Sequence, residues 1–329
     1  MEDYPRTLAE LEAWFATDVA CRKYLAQLRW PDGFACPRCS GSEAWATARG
    51  LLVCTACGYH ASVTAGTLFQ DTHKPLTTWF RMIWLVTSQK TGASALNLQR
   101  VLGLGSYRTA WAWLHKLRRA MVRPGRERLS GRVEVDESYV GGPEEGAHGR
   151  GTAKKAIVAI AAAEGQAPLE ARPALTGVEE DGDGTGRIRM RRIANASAKE
   201  LHAFVEDMVE PGSLVHTDGW EGYSGLRRKG YKHKAAPVND RKAFKVLPRV
   251  HKAASLLKRW LMGTHQGAVS REHLDCYLDE FTFRFNRRTS RYRGKLFYRL
   301  LQNAVAIDPA PFETLTKSAR GRKKRTHKG

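Results

Sequence analysis

Hydrophobic and polar positions divide the chain into a helical N-terminal part and a C-terminal part in which strands alternate with helices. Apolar residues at three- and four-residue spacing predict a helix over residues 7–28, and Thr7 followed by Glu10 has the pattern of a capping box at its start. A second helical block spans about 75–121 and is broken at two glycines. Between these blocks lies a segment that contains two pairs of cysteines.

From about residue 131, short apolar and alternating segments are separated by Gly-rich and charged loops. They predict strands over 132–140, 154–164, 187–194 and 213–217, a helix over 197–209, and helices over about 248–262 and 271–284 before a basic end. Strands followed by a helix and another strand are typical of an α/β or α+β domain with a mixed sheet.

The charge balance favours a polyanionic partner. Among 329 residues, 54 Lys and Arg stand against 33 Asp and Glu, a formal charge of +21. Each cation that neutralises a phosphate releases a condensed counterion, so nucleic acid is the first partner to consider. A hydrophobic content of 42% excludes wholesale disorder and suffices for two or three domains. Without a membrane-length apolar run or a signal peptide, we expect a soluble cytoplasmic protein with no membrane partner.

Four cysteines have the spacing of a zinc ribbon. Cys36 and Cys39 form one C-x2-C pair, and Cys54 and Cys57 form another after 14 intervening residues. Two such pairs can place four thiolates around a tetrahedral zinc ion, which supplies folding free energy that so small a subdomain lacks. The alternative is a pair of disulfides, which an intracellular location disfavours. We therefore predict a structural Zn²⁺ site.

Residues 94–121 have the outline of a helix-turn-helix, with a turn at Gly103 to Gly105 and a second helix from Ser106. The basic residues of the second helix that fit a DNA major groove are Arg108, His115 and Arg119 on one face, with Lys116 beside them. The alternative is a helical linker packed on its neighbours. The tryptophans of the block are expected in the core: Trp79, Trp84, Trp111 and Trp113.

Two acidic residues are candidates for a catalytic site. Asp136 lies inside the apolar strand 132–140, where an acid is costly unless it is paired or binds a metal. Asp218 directly follows the strand 213–217. Carboxylates at strand ends in one sheet are a recurrent way to hold Mg²⁺ or Mn²⁺ for phosphoryl transfer. The alternative for each is a salt bridge at a strand edge.

The helix that starts at Pro248 adds two further candidates. Its apolar residues share one arc, whereas His251, Ser255 and Lys258 lie on the opposite side. His251 and Lys258 are two turns apart on the helix. This spacing would allow His251 to bind a metal ion while Lys258 binds an adjacent phosphate. The alternative is a polar helix face with no chemistry.

Several motifs in a fixed order resemble the bacterial insertion-sequence DDE transposases, which carry an N-terminal zinc ribbon and a catalytic domain of the ribonuclease H-like, retroviral-integrase type. The motifs span nearly the whole chain: ATDVACRKYLAQLRWPDGFACPRC, CGYHASVTAGTLF, PLTTWF, VEVDESYVGG, VHTDGWEGY, LKRWLMGTHQG and YLDEFTFRFNRR. The resemblance implies an N-terminal helix (1–30), a zinc ribbon (31–72), a helix-turn-helix region (73–125), an α/β ribonuclease H-like catalytic domain (126–305) and a basic tail (306–329).

The resemblance also implies roles for individual residues. Asp136 and Asp218 would be ligands of a catalytic Mg²⁺ or Mn²⁺, His251 the third ligand, and Lys258, with Arg259 beside it, a contact to DNA phosphate. His251 stands where the archetype has Glu, so the sequence departs from a strict DDE triad.

Glu280, in the motif LDEF, is a competing third ligand. A neutral imidazole binds Mg²⁺ less readily than a carboxylate does. Our hypothesis is therefore that Mn²⁺ supports at least as much activity as Mg²⁺.

The implied reaction is metal-dependent phosphoryl transfer on double-stranded DNA. A cut at the element's end would expose a 3′-OH, which then attacks target DNA, in a homodimer or higher oligomer associated with the nucleoid. The alternatives are a non-catalytic DNA-binding regulator derived from a transposase, and a nuclease that cuts without joining. The stretch Lys317 to Lys328 holds seven Lys or Arg and no acid, so we expect it to be disordered when free and either to clamp DNA or to be solvated.

Overall fold

The computed structural model describes residues 3–123, 125–141, 155–165, 184–236, 246–267 and 269–316. The chain folds into two compact units. The first, named the ribbon unit, contains the described residues up to 123 and those from 289 onwards. The second, the sheet unit, contains the residues from 125 to 288. Within the described residues, no helix is both long and apolar enough to span a membrane.

The ribbon unit is mainly helical, and the sheet unit contains the longer strands. The helices are α1 (Leu8–Trp14), α2 (Asp18–Arg29), α3 (Leu76–Ser88), α4 (Ala95–Val101), α5 (Tyr107–Ala120), α6 (Ala198–Met208), α7 (Pro248–His265), α8 (Leu274–Phe285), α9 (Gly294–Ala306) and α10 (Phe312–Thr316). The strands are β1 (Ala44–Ala46), β2 (Leu52–Cys54), β3 (His60–Ala61), β4 (Arg132–Val140), β5 (Ala156–Glu164), β6 (Thr185–Ile193), β7 (Leu214–Thr217) and β8 (Lys232–Ala235). Two short 3-10 helices, Glu221–Tyr223 and Leu226–Lys229, lie between β7 and β8.

The single helix predicted over 7–28 is two helices in the ribbon unit. Thr7 caps α1 by accepting from the N–H of Glu10, and the Glu10 carboxylate accepts from the N–H of Arg6. Thr17 caps α2 by accepting from the N–H of Ala20. A residue that caps one helix cannot continue the preceding one, because the N-cap backbone is not helical.

An aromatic core holds the helices of the ribbon unit together. Trp79 of α3 and Trp113 of α5 stack at a centroid distance of 3.7 Å, and Phe297 of α9 contacts Phe80. Trp79, Trp113 and Trp84 are buried as expected. Helix α9 was not predicted. Its apolar face packs on α2, α3 and α5, so residues 289–316 belong to the ribbon unit, whereas the sequence had extended the catalytic domain to residue 305.

The predicted mixed sheet is confirmed in the sheet unit. Its strand order is β6-β5-β4-β7-β8, in which β4, β5 and β6 pair antiparallel, and β7 is parallel to both β4 and β8. The even-numbered residues of β5 and β6 pack under α7 and α8, and the odd-numbered residues of β4, β5 and β7 pack against α6. The sheet is therefore buried by helices on both faces over its central strands.

The segment after α8 closes one edge of the sheet. The side-chain amide of Asn286 accepts from the N–H of Ile188 and donates to its carbonyl oxygen, as a neighbouring strand would. The guanidinium of Arg288 donates to the carbonyl oxygens of Thr185 and Gly186. Edge strand β6 thus has part of its open hydrogen-bonding side covered. The basic stretch from Lys317 to Lys328 lies outside the described residues.

Candidate active site and zinc site

The parallel pairing of β4 and β7 brings the two candidate aspartates onto one face of the sheet. Glu134 pairs with His216 across the two strands, and Asp136 and Asp218 each follow two residues later. Because side chains alternate between faces with a period of two, Asp136 and Asp218 share the face of Glu134. Asp136 therefore points to the side of the sheet on which α7 packs, and Asp218 directly follows the neighbouring strand in the register that continues this face.

The turn after β7 fixes the orientation of Asp218. Its carboxylate accepts from the N–H of Trp220 at 3.0 Å, and Gly219 has a φ of 83°, which only glycine adopts without strain. The indole N–H of Trp220 donates to the carbonyl oxygen of Ala196 at 2.9 Å. A Cβ on Gly222 would lie 2.6 Å from Nε1 of Trp220, so the turn admits only glycine at that position.

Tyr223 joins this turn to β4 on the opposite face. Its hydroxyl donates to the carboxylate of Glu137 at 2.9 Å, and its side chain is fully buried in the cluster that contains α6. Burial first, and then the negative charges of Glu137, Asp136 and Asp218, raise the pKa of Tyr223 well above its usual value. Glu137 therefore faces away from α7, as its odd position on the strand predicts. The carboxylates of Glu137, Asp136 and Asp218 all lie close enough to Tyr223 to raise the pKa of its hydroxyl.

Glu134 positions the start of α7 against β4. Its carboxylate accepts from the backbone N–H of Arg249 at 2.8 Å and of Val250 at 3.1 Å. These are the second and third residues of the helix, and the N-cap residue Leu247 has no side chain that could cap them. A carboxylate at a helix N-terminus also interacts favourably with the helix dipole.

The carboxylate of Glu134 also forms an ion pair with Arg249. The Arg249 guanidinium donates to it at 2.8 Å and also pairs with Glu164 at the end of β5. The Glu134 side chain is only 2% exposed, so its charge depends on these partners. The result is a fixed register between β4, β5 and the first turn of α7.

That register places His251 against Asp136. Nδ1 of His251 lies 3.9 Å from a carboxylate oxygen of Asp136, and both side chains are partly exposed. This separation is too long for a hydrogen bond but suits two groups that approach one ion. Lys258 is exposed on the same side of α7, about 10.5 Å further along the helix, and Arg259 is exposed next to it.

Glu280, the competing third ligand, lies elsewhere in the sheet unit. Its carboxylate is fully buried on α8 and accepts from Nε of Arg284 at 2.9 Å. Helix α8 packs on β6, which is separated from β4 by β5. His251 lies 3.9 Å from Asp136, whereas the described partner of Glu280 is Arg284, and the choice of His251 as third ligand stays a prediction.

The four ribbon cysteines converge on one point. Their sulfur atoms all lie within 4.8 Å of one another, with Cys36 and Cys57 separated by 3.7 Å and Cys39 and Cys54 by 3.6 Å. Of the residues that the structure describes, these four alone form so close a group of three or more potential metal ligands. Asp136, Asp218 and His251 are more loosely gathered.

The two cysteine pairs lie on matching turns. The N–H of Ser40 donates to the carbonyl oxygen of Cys36, and the N–H of Gly58 donates to that of Cys54, four residues back in each case. Ser40 and Gly58 have left-handed φ values of 61° and 67°. Such paired turns fit a tetrahedral thiolate site.

Gly41 supplies a further test of the zinc site. A Cβ at this position would lie 3.2 Å from the sulfur of Cys54 and 3.4 Å from that of Cys39. Because glycine has no side chain, the sulfur atoms of Cys39 and Cys54 have room beside it. The four cysteines and this glycine therefore fit a bound zinc ion.

The predicted DNA-reading face of α5 is partly covered in the ribbon unit. His115 is 1% exposed and packs on Trp111 at a centroid distance of 4.0 Å, so the structure differs from the expectation of an open face. The Arg108 guanidinium lies 4.0 Å above the ring of Phe312 in α10. Lys116 and Arg119 are half-buried, and burial lowers the pKa of Lys116. Apolar residues of the C-terminal segment that contains α10 pack on α5 and contribute to this cover at Arg108.

Sequence reasoning missed two residues that shape the site, Glu134 and Tyr223. An acid inside an apolar strand was the signal that singled out Asp136, and the same signal applies to Glu134 two residues earlier. Cys21 is buried as expected, and burial raises the pKa of its thiol to about 12.

Comparison with known proteins identifies the two parts of the chain. Residues 128–286 match the model of the ISXO2-like transposase domain, and residues 16–60 match that of the transposase zinc-ribbon domain. Both family models describe domains of insertion-sequence transposases, and this chain is similar to them. The chain is also 26% identical over 279 residues to a Halobacterium salinarum protein described as an uncharacterized protein in transposable element ISH50. That alignment covers 82% of this chain and 91% of the relative.

The recognition made from the sequence is therefore confirmed. The transposase domain contains Asp136, Asp218 and His251, and all four cysteines fall within the matched zinc-ribbon segment. The matched zinc-ribbon segment has the ligands of a structural zinc ion.

Proposed function

We propose that the protein binds the terminal inverted repeats of its element and catalyses metal-dependent cleavage and strand transfer of the element's ends. The observation that carries this proposal is the placement of Asp136 on β4 and of Asp218 directly after the adjacent parallel strand β7, with His251 close to Asp136. The match of this region to a transposase domain supports it.

Two carboxylates and an imidazole form a donor set that fits Mg²⁺ or Mn²⁺. Asp136, Asp218 and His251 would hold the cation, which, when bound, lowers the pKa of a nucleophilic water or hydroxyl and neutralises charge on the phosphate. The protein's own contribution is position: the turn after β7 fixes Asp218, and Glu134 fixes the first turn of α7.

Basic side chains would supply the contacts to DNA. Lys258 and Arg259 are exposed on α7 within the sheet unit and would bind backbone phosphate. In the ribbon unit, helix α5 would contribute to recognition of the inverted repeats through Arg108, Lys116 and Arg119. Two element ends must be joined in one reaction, so we infer a homodimer or higher oligomer that works at the nucleoid.

The test is a reaction that separates cutting from joining. Purified protein is incubated with labelled DNA that carries the element's end and with a target plasmid, in Mg²⁺ and in Mn²⁺. Joined products support the transposase. Cleaved ends without joining indicate a nuclease, and tight end binding without cleavage in either metal indicates a regulator derived from a transposase.

A further inference from the structure

A dense run of basic residues directly follows the turn that carries Asp218. Residues 227–234 contain five Lys or Arg and no acid. They form the second 3-10 helix of the sheet unit and most of strand β8. None of these residues has a role in the site described above.

Strand β8 lies at the edge of the sheet beside β7. Lys232 pairs with Leu214, and Lys234 pairs with His216, which in turn pairs with Glu134 on β4. Both lysines therefore share the sheet face of Glu134 and Asp136. They are two residues apart, about 6.6 Å along the strand, which is about two nucleotide steps of 3.4 Å along one DNA strand.

The charges of this run are not all available for a ligand. Lys229 pairs with Glu206 at 2.7 Å, and the guanidinium of Arg227 donates to the carbonyl oxygen of His233. Arg228, Lys232 and Lys234 are exposed, and among the residues that the structure describes they have no acidic partner. Two of these cations, Lys232 and Lys234, lie on the edge strand, and Arg228 lies in the 3-10 helix that precedes it.

We propose that Arg228, Lys232 and Lys234 form a DNA-backbone contact, named the β8 track, which binds phosphates of the duplex whose end reaches Asp136 and Asp218. This inference rests on the proposed function. Ammonium and guanidinium groups spaced along an exposed edge bind phosphate oxygens without reading sequence. The track therefore contributes affinity and salt dependence to any duplex, and not specificity for the repeats.

Edge-strand lysines have another known use, the prevention of strand pairing between molecules. That explanation accounts for Lys232 and Lys234 but not for Arg228, which lies outside the strand. It also predicts a different outcome on substitution, because neutral lysine variants would self-associate while their DNA binding stayed unchanged.

The test compares two double variants of the full chain, Lys232→Gln with Lys234→Gln, and Lys199→Gln with Lys229→Gln. Both pairs remove two positive charges from the sheet unit. Lys199 is exposed on α6, which packs on the other face of the sheet, and Lys229 is already neutralised by Glu206. The dissociation constant for a random-sequence duplex is measured at salt concentrations from about 50 to about 300 mM by fluorescence anisotropy.

In the variant with Lys232→Gln and Lys234→Gln, the plot of log K against log salt should become less steep by about 0.9 per lysine, or about 1.8 in all. The control pair should keep the wild-type slope. Equal slopes for the two pairs overturn the proposal. Equal slopes with self-association of the track variant in sedimentation establish edge protection instead. If the glutamine pair does not fold, the single Lys232→Gln variant is used, with Lys232→Arg expected to restore the slope.

The binding assay needs no catalysis, so it can fail separately from the proposed function. If the wild type joins DNA and both double variants have the same slope, the transposase function is supported and the track is overturned. If the slopes differ but the wild type neither cleaves nor joins DNA, the track is supported and the transposase function is overturned.

Discussion

Glu134 and Arg249 are joined by two hydrogen bonds of 2.8 Å, one from the backbone N–H and one from the guanidinium of Arg249. The first bond caps α7, and the second balances the charge of the cap. Because Asp136 lies two residues after Glu134 and His251 two residues after Arg249, this pair sets the distance between the candidate ligands.

The Glu134→Gln variant should test that positioning role. The amide oxygen can still accept from the N–H groups of Arg249 and Val250, but the amide NH2 then replaces the oxygen that accepts from the buried Arg249 guanidinium. The free energy of unfolding should therefore fall by about 1–3 kcal/mol. Joining of DNA ends should slow while the dissociation constant for DNA stays unchanged. Glu164→Gln is the matched control, because Glu164 also contacts Arg249 but is 41% exposed and should cost less than about 1 kcal/mol. Equal effects of the two substitutions would contradict the positioning role.

Removal of zinc should unfold the ribbon. In the Cys54→Ser variant, zinc measured by plasma mass spectrometry should fall to a small fraction of the wild-type content, and DNA binding should weaken. Cys21→Ala provides the control, because that buried thiol lies outside the cysteine cluster and its loss should leave the zinc content unchanged. Full zinc content in Cys54→Ser would exclude the four-cysteine site.

His251→Glu should change the metal preference. A carboxylate is a harder ligand than imidazole, so the ratio of joining in Mg²⁺ to joining in Mn²⁺ should rise above that of the wild type. The wild type itself should be at least as active in Mn²⁺ as in Mg²⁺. Glu280→Gln serves as the comparison and should leave the metal ratio unchanged. A wild type far more active in Mg²⁺, or a ratio altered only by Glu280→Gln, would favour Glu280 as the third ligand.

Gly222→Ala should disrupt the turn that orients Asp218. The added Cβ would lie 2.6 Å from Nε1 of Trp220 and 2.8 Å from the carbonyl oxygen of Ala196, so we expect a loss of about 1–3 kcal/mol and a strong loss of joining. Gly263→Ala adds the same group on α7, where nothing lies within 4 Å, and should be neutral or slightly stabilising. Urea denaturation of both variants measures the difference. Similar midpoints would show that the turn tolerates a side chain.

Elements with a strong local pattern could be predicted from the sequence. Strands β4 to β7 and helix α6 lie within a few residues of their predicted bounds, because alternating or continuous apolar residues mark them. Strand β8 was missed, since an edge strand of Lys and His has no such alternation. Helix α9 was missed because a basic stretch precedes its apolar face, although its apolar residues have helical spacing.

The candidate ligands could be predicted from local motifs, but their supports could not. Asp136 and Asp218 stand in recognisable segments, whereas the cap of α7 comes from Glu134, 115 residues before the Arg249 that it contacts. Helix α3 has the same arrangement, because the Asp18 carboxylate on α2 accepts from the N–H of Leu76. Only the folded chain reveals such tertiary caps, since the residues at both N-cap positions, Leu247 and Pro75, have no capping side chain.

The central claim is that Asp136 and Asp218 act in one metal-dependent centre, and a comparison of Asp136→Asn, Asp218→Asn and the double variant in the joining assay tests it most directly. Each single substitution should reduce joining at least about 1,000-fold and leave DNA binding intact, and the double variant should be no worse, because residues that act as a unit are not additive. The exposed Asp308→Asn control should join at the wild-type rate. Joining by either single variant at the wild-type rate would contradict the account.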